Sequence, residues 1–198
     1  MKSLRKSRPP WRPLVWAALL LIPFAVRAVY HVQASGVPYL RWPLVVSSAN
    51  HELAADLARG EGAPYTLFRS PWYPLFLSWI HRLPWPDIPS AVAVQALLGG
   101  LSCLAVAALA RMAYGTREAV AALLIASLHA PSWFYEGEML EQAPAGFLLA
   151  AGTALLMRSL LPPGGPAAAA AGGAALGAAA LMRPDLWLAV AAALVVLL

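Results

Sequence analysis

Several apolar stretches of the chain are as long as a lipid bilayer is thick and carry almost no charge. The first, 13–33, holds a single formal charge, Arg27. A bilayer core of about 30 Å needs roughly 20 apolar residues per helix, so this stretch can cross a membrane as one helix. Of the 198 residues, 61% are hydrophobic and 12% are charged, against roughly 45–50% and about 25% in soluble domains. The sequence therefore predicts an integral membrane protein.

Further apolar stretches follow in the second half of the chain. Four of them predict additional membrane crossings: 91–110, 119–135, 142–161 and 166–182. A closing run, 186–198, is too short to span a bilayer, and we expect the sequence to be a fragment cut within a sixth helix. Gly173 and Gly177 form a small-xxx-small pair that would let helices approach closely, although simple Ala/Gly-rich sequence explains them equally well.

The charged residues predict an orientation. The basic tail, 1–12, precedes the first span, and the other short segments on the same side are also basic, so the positive-inside rule places the amino terminus in the cytoplasm. A signal peptide cut after Ala28 is the alternative, but Arg27 beside such a cut is unusual, and an uncleaved anchor is favoured. The outer side then holds eight of the nine acidic residues: Glu52, Asp56, Glu61, Asp87, Glu136, Glu138, Glu141 and Asp185.

One connection, the outer loop 34–90, is far longer than the others, and loops of such length are usually functional or disordered. Its composition argues against disorder. Residues 48–59 have the pattern of an amphipathic helix on a membrane surface. Residues 71–81 are rich in Trp and Tyr, which favour the headgroup level. This second helix is either the floor of a lipid-carrier site or an aromatic anchor. The predicted fold is all-α, a multi-pass transmembrane bundle with interfacial helices in this first outer loop.

Other classes of function find little support in the sequence. Basic residues form no continuous patch with stacking aromatics, which argues against nucleic acid as a partner. The four histidines and the single Cys103 lack the spacing of metal ligands. No glycine-rich loop follows a strand, so a nucleotide-sugar site of the soluble type is not indicated. We expect neither a metal nor a cofactor. A transporter would need an internal repeat or midplane charges, and neither is evident.

Five segments, in this order and spacing, resemble a known family. The first runs from Val46 to Gly62, Val-Ser-Ser-Ala-Asn-His-Glu-Leu-Ala-Ala-Asp-Leu-Ala-Arg-Gly-Glu-Gly. The second, 69–77, reads Arg-Ser-Pro-Trp-Tyr-Pro-Leu-Phe-Leu. The third, 94–99, reads Val-Gln-Ala-Leu-Leu-Gly, and the others are 135–142 and Leu181-Met-Arg-Pro-Asp. Together with the basic start and first span, they are similar to the GT-C superfamily of membrane glycosyltransferases. The closest resemblance is to bacterial relatives of dolichyl-phosphate-mannose protein mannosyltransferases and of aminoarabinose transferases.

The resemblance implies inverting transfer of a sugar from a polyprenyl-phosphate donor to a lipid, glycan or protein acceptor at the outer face of the bacterial inner membrane. Such transfer needs a carboxylate to accept the proton of the acceptor and cations to stabilise the departing phosphate. Arg69 and Arg183 are the expected donor-binding cations, with Tyr73 beside them. Arg27, in the first span, is instead expected to face a water-filled cavity, because a lipid-facing charge at depth is costly.

The catalytic carboxylate departs from the family pattern. The position of the family's Asp is occupied by Val46, and the later Glu position by Gln142. Three explanations are open. A local insertion brings Glu52 or Asp56 into place, or Glu138 or Glu141 supplies the carboxylate from the second outer loop, or this copy is an inactive homologue that acts as a membrane scaffold.

Overall fold

The computed structural model describes residues 12–37, 45–61, 70–85 and 88–197. These residues form helices and connections without a β-strand, which confirms the predicted all-α class. The predicted basic tail lies outside the described residues except for Arg12. In chain order the helices are α1 (Arg12–Ala34), α2 (Val45–Arg59), α3 (Trp72–His81), α4 (Ile88–Ala113), α5 (Thr116–Ser127), α6 (Ala130–Gly137), α7 (Gln142–Leu160), α8 (Pro166–Met182) and, after a 3-10 turn over Pro184–Leu186, α9 (Trp187–Leu197).

Three of the described helices are long and apolar enough to cross a membrane. They are α1 over Leu14–Ala34, α4, and α7. The sequence predicted five crossings. Helix α8 has the predicted limits and is apolar, but it has only 17 residues. Much of α1 faces outward, with Leu21 63% and Val32 74% exposed, as expected of a helix that meets lipid. These three helices indicate that the chain associates with a membrane.

The predicted span 119–135 is two helices in the structure, broken at Leu128 and His129. The cause is Pro131, which has no N–H to donate to the carbonyl four residues earlier. That carbonyl belongs to Ser127, and the indole Nε1 of Trp133 donates to it at 3.0 Å. The side chain of Trp133 thus supplies the hydrogen bond that the proline removes, and α6 leaves the axis of α5.

Helix α4 lies at the centre of the fold. Helices α1, α5, α6 and α7 all pack against it, α8 packs against α7, and α2 packs against α3. Because neighbouring helices in the bundle are joined by short connections, they run antiparallel. The carboxyl ends of α1, α6 and α8 and the amino ends of α4 and α7 therefore meet at one end of the molecule. This end, which also carries α2 and α3, is called the α2–α3 end.

Helices α7 and α8 approach closely at a pair of glycines. A Cβ atom on Gly152 would lie 3.0 Å from the carbonyl oxygen of Gly172, and one on Gly172 would lie 2.9 Å from the backbone nitrogen of Leu156. Gly173 and Gly177, the pair suggested by the sequence, have no such neighbour within 4 Å of an added Cβ. The close contact thus uses Gly172, one position away, because that residue faces α7.

Replacing Gly172 with alanine should destabilise the bundle, whereas the same change at Gly173 should not. The methyl group at position 172 would meet the backbone of α7, and overpacking of this kind costs about 1–3 kcal/mol. At Gly173 the new side chain enters open space and alanine favours the helix. Thermal unfolding in detergent measures both variants. Equal melting temperatures would contradict the glycine contact.

Candidate functional site

The segment 136–141 joins α6 to α7 and is the point on which the α2–α3 end converges. The backbone of Glu138 is extended, so the chain leaves helical geometry here and its backbone groups need other partners. The backbone partners come from α2 and α4, and α1 contributes an ion pair with the side chain of Glu136. Three helices that are distant in sequence thereby fix one six-residue segment.

The first anchor is a buried ion pair between α1 and the start of the segment. Arg27 and Glu136 are each 2% exposed. Nε of Arg27 lies 3.0 Å from Oε1 and 2.9 Å from Oε2 of Glu136, and its Nη1 donates to the carbonyl of Pro23 at 3.1 Å. Gly99 on α4 makes room for the pair, since a Cβ there would overlap the Glu136 carboxylate.

The second anchor is Gln95 on α4, whose side chain is fully buried. Its amide Nε2 donates to the carbonyl of Glu136 at 3.0 Å and to that of Glu138 at 2.8 Å. The hydroxyl of Tyr73 on α3 donates to Oε1 of Gln95 at 3.0 Å. Burial, with a smaller contribution from Glu141, raises the pKa of Tyr73 well above its ordinary value, which keeps its hydroxyl protonated as a donor. Both amide hydrogens on Nε2 of Gln95 and its oxygen Oε1 therefore have hydrogen-bond partners.

The third anchor is the inner face of α2. Asn50 donates from Nδ2 to the carbonyl of Met139 at 2.9 Å, and Ser47 donates from Oγ to Oε2 of Glu138 at 2.8 Å. Three helical positions of like orientation, 47, 50 and 54, are buried. Beneath them lies an apolar core shared by α2, α3, α4 and the segment, consisting of Ala54, Tyr73, Leu77, Ile80, Ala91 and Met139.

Two histidines join α2 to α3. Nδ1 of His81 lies 2.9 Å from the carbonyl of Leu77, and its Nε2 lies 3.0 Å from Nδ1 of His51. Because a carbonyl only accepts, Nδ1 of His81 carries a hydrogen, and neutral His81 accepts from His51 through Nε2. Burial, and then the neighbouring His81, lower the pKa of His51, against a smaller opposing effect of Glu52. The contact thus favours neutral His51.

The predicted carboxylates occupy different places. Glu138 is half-buried and accepts the hydrogen bond from Ser47, the neighbour of Val46. Glu141 is half-buried at the start of α7, close enough to Tyr73 and Arg183 to affect their pKa values. Glu52 lies on the exposed side of α2, away from the buried face that meets the segment. Glu138 and Glu141 therefore both lie on the segment but have different neighbours, and Glu52 lies apart from it.

The predicted donor-binding residues are only partly described. Arg69 lies outside the described residues, but the adjacent Ser70 donates from Oγ to the carbonyl of Leu181. Arg183, two residues after Leu181, is half-buried. Its Nε and Nη2 atoms donate to the carboxylate of Asp185 at 3.1 Å and 2.6 Å. This hydrogen bonding lowers the pKa of Asp185 and raises that of Arg183. Tyr73 is 2% exposed, and its hydroxyl is directed to Gln95.

The sequence did not identify the residues that hold the segment. Arg27 was expected to face a water-filled cavity; it lines a cleft and is paired with Glu136. Glu136 was assigned only to the outer side and Gln95 only to a family motif. A local pattern does not show a pair that is 109 residues apart. The available signal was chemical: a lone arginine in a span requires a partner.

Neither a search for metal-binding groups nor a comparison with known proteins adds to this description of the site. Within the described part of the chain, no three His, Cys, Asp or Glu side chains could together hold a metal ion. Comparison with protein-family models, with curated proteins and with solved structures found no match to this chain.

Breaking the buried ion pair should strongly destabilise the fold. Arg27→Met or Glu136→Gln alone leaves one buried polar partner without its counterpart, at a cost of about 3–5 kcal/mol. The double variant removes both charges and should recover part of the loss. Unfolding of the four proteins in detergent measures this coupling. Strictly additive losses would contradict a direct interaction.

The histidine contact should weaken in acid. Because the pKa of His51 in the folded chain lies below the ordinary value of about 6.5, the stabilisation is complete above that pH and is lost progressively as the pH falls below it. The melting temperature should therefore drop between pH 7.5 and pH 5, and less so in His51→Gln. His129→Gln, which alters an exposed histidine, serves as the control. An equal drop in all three proteins would exclude His51 as the source.

Proposed function

We propose that this chain is a multi-pass membrane glycosyltransferase that moves a sugar from a polyprenyl-phosphate donor to an acceptor at the outer face of the membrane. The observation that carries the proposal is the position of Glu138. Its carboxylate accepts a hydrogen bond from Ser47, beside Val46, on a segment held from three sides. The resemblance to the GT-C superfamily assigns the catalytic carboxylate to position 46, and Glu138 contacts Ser47, the next residue along α2.

Glu138 is proposed as the general base. The acceptor hydroxyl or amine attacks the anomeric carbon of the donor sugar, the bond from that carbon to the phosphate oxygen breaks, and Glu138 takes the proton of the acceptor. Polyprenyl phosphate leaves with both electrons of the broken bond. The hydrogen bond from Ser47 orients the carboxylate, and the half-buried position leaves Glu138 within reach of solvent. Glu141 is the second candidate.

The donor phosphate is proposed to bind between the start of α3 and the end of α8. The hydrogen bond from Ser70 to Leu181 brings these two elements together, and each carries a predicted cation, Arg69 and Arg183. A guanidinium offers a planar fork that matches phosphate oxygens. Arg183 holds Asp185 through two of its nitrogens, so a bound phosphate would either use Nη1 or displace the aspartate.

The same proposal places the chain in the bacterial inner membrane with its amino terminus in the cytoplasm. Helices α1, α4 and α7 are the candidate spans, and α2 and α3 would lie at the outer interface. The exposed indoles of Trp72, Trp79 and Trp85, 46%, 68% and 76% exposed, fit such a position. The partners would be the lipid-linked donor, membrane lipids, and a lipid, glycan or protein acceptor. Nucleic acid, metal and cofactor play no part in this scheme.

A non-catalytic membrane scaffold is the alternative, and Val46 is the observation that favours it. A valine can neither accept a proton nor bind a metal. This alternative predicts binding of the lipid-linked donor without transfer. A transporter is a weaker alternative, because the charges described above collect at the α2–α3 end.

Glu138→Gln should reduce transfer by about 100-fold to 10,000-fold, the usual contribution of a general base, while binding of the donor persists. Membranes containing the complete protein are incubated with labelled polyprenyl-phosphate sugars, and released polyprenyl phosphate and labelled product are counted. Glu52→Gln, on the exposed side of α2, is the matched control and should retain full activity. Transfer that is equal in both variants would exclude Glu138, and donor binding without transfer by the unaltered protein would establish the scaffold.

A further inference from the structure

Three exposed arginines lie at the end of the bundle opposite the α2–α3 end. Arg111 is in the last turn of α4, Arg117 is in the first turn of α5, and Arg158 is in the last turn of α7. Helix α5 begins two residues after α4 ends, which brings Arg117 to the level of Arg111. These three residues are called the arginine face.

Arg111 and Arg158 lie at about the same height in the bundle. Gln95 on α4 binds the backbone of the segment 136–141, and α7 starts directly after this segment at Gln142. The two helices pack against each other and run in the same direction. Sixteen residues lead from Gln95 to Arg111 and sixteen from Gln142 to Arg158, which is about 24 Å in each helix at 1.5 Å per residue.

The helical stretches between the two levels are apolar. Residues 96–110 of α4 and 143–157 of α7 include no Asp, Glu, Lys or Arg, and both helices are candidate membrane spans. Their length of about 24 Å approaches the thickness of a bilayer core, about 30 Å. The arginine face therefore lies where these spans would leave the hydrocarbon, at the level of the lipid headgroups.

The arginines at the two ends of the molecule differ in their partners. At the α2–α3 end, Arg59 contacts Asp56 and Glu61, and Arg183 contacts Asp185. Carboxylates of the chain itself thus neutralise these two exposed guanidinium groups.

The arginine face has no such neutralisation within the described part of the chain. Arg158 donates from Nη1 to the carbonyl of Leu161 at 3.0 Å. Arg111 and Arg117 have neither a hydrogen bond nor an ion pair with any described residue. The one nearby acidic side chain of the described ranges, Glu118, is exposed and forms no ion pair there. The face therefore keeps an excess of positive charge.

Helix dipoles explain only part of this arrangement. A cation is favoured in the last turn of a helix, where Arg111 and Arg158 lie, and is disfavoured in the first turn. Arg117 is in the first turn of α5, so the dipole of its own helix opposes it. An anion from outside the chain would stabilise all three guanidinium groups.

We infer that the arginine face binds the phosphate groups of anionic phospholipids, such as phosphatidylglycerol, in the leaflet at this end of the molecule. Lipid phosphates lie at the level of the face, and a guanidinium matches phosphate oxygens with its planar fork of donors. The excess of positive charge favours a lipid with net negative charge over a zwitterionic one. The inference uses the membrane association of the chain and does not depend on sugar transfer.

Electron spin resonance in a defined bilayer tests the inference. The full chain is placed in phosphatidylcholine vesicles with a trace of spin-labelled phosphatidylglycerol or spin-labelled phosphatidylcholine, and the fraction of motionally restricted label gives the relative affinity of the two lipids. Phosphatidylglycerol should be preferred by the unaltered protein. The preference should fall as salt is added, because ions screen exposed charges. Equal affinity for the two lipids, or a preference that salt does not change, would overturn the inference.

A charge-matched pair of variants locates the binding. Arg111→Gln combined with Arg117→Gln should lower the preference for phosphatidylglycerol about fivefold or more, since one arginine near the membrane surface contributes about 1 kcal/mol. Arg59→Gln combined with Arg82→Gln makes the same change of charge at the α2–α3 end and should lower the preference far less. The basic tail is identical in both proteins, so its contribution cancels.

The restricted fraction of spin-labelled phosphatidylcholine should be unchanged in both variants, which verifies their insertion. Equal losses of the preference in the two variants would contradict the assignment to the arginine face. Inorganic phosphate, added at constant ionic strength, should not displace phosphatidylglycerol. Displacement would instead assign the face to a soluble anion, a result that needs no variant.

Discussion

The buried ion pair between Arg27 and Glu136 is the constraint on which the α2–α3 end depends. A charge inside a candidate membrane span requires a partner, because its burial without one is costly. The partner comes from the last turn of α6, and Gly99 leaves the space in which the two meet. The pair thus fixes the start of the segment 136–141 relative to α1 and α4 at once.

The rest of the segment is held by hydrogen bonds from side chains of α4 and α2. Gln95 binds the carbonyls of Glu136 and Glu138 in the interior. Asn50 and Ser47 then bind from the side of α2. A carboxylate at position 138 is therefore carried by rigid elements rather than by a free loop, which is the condition for an accurately placed polar group.

The sequence predicted the elements of this structure better than their contacts. Long apolar runs gave α1, α4 and α7 to within a few residues, and the amphipathic and aromatic patterns gave α2 and α3, because those signals are local. The break between α5 and α6 was missed, although Pro131 provided the cue. The pairing of Arg27 with Glu136 depends on packing between distant helices. Likewise, the sequence did not distinguish Glu52 from Glu138 and Glu141. The inward-facing side of α2 carries Ser47 and Asn50, and the local pattern does not show which side of the helix that is.

The separation of Arg27 and Glu136 along the chain has a consequence for biosynthesis. Ribosomes add about 5–20 residues per second, so the 109 residues between the two partners correspond to roughly 5–20 s. During that interval the first helix carries an arginine without its carboxylate. The contact that fixes α1 against α6 therefore forms only after synthesis of α6 has delivered Glu136, late relative to the synthesis of α1 itself.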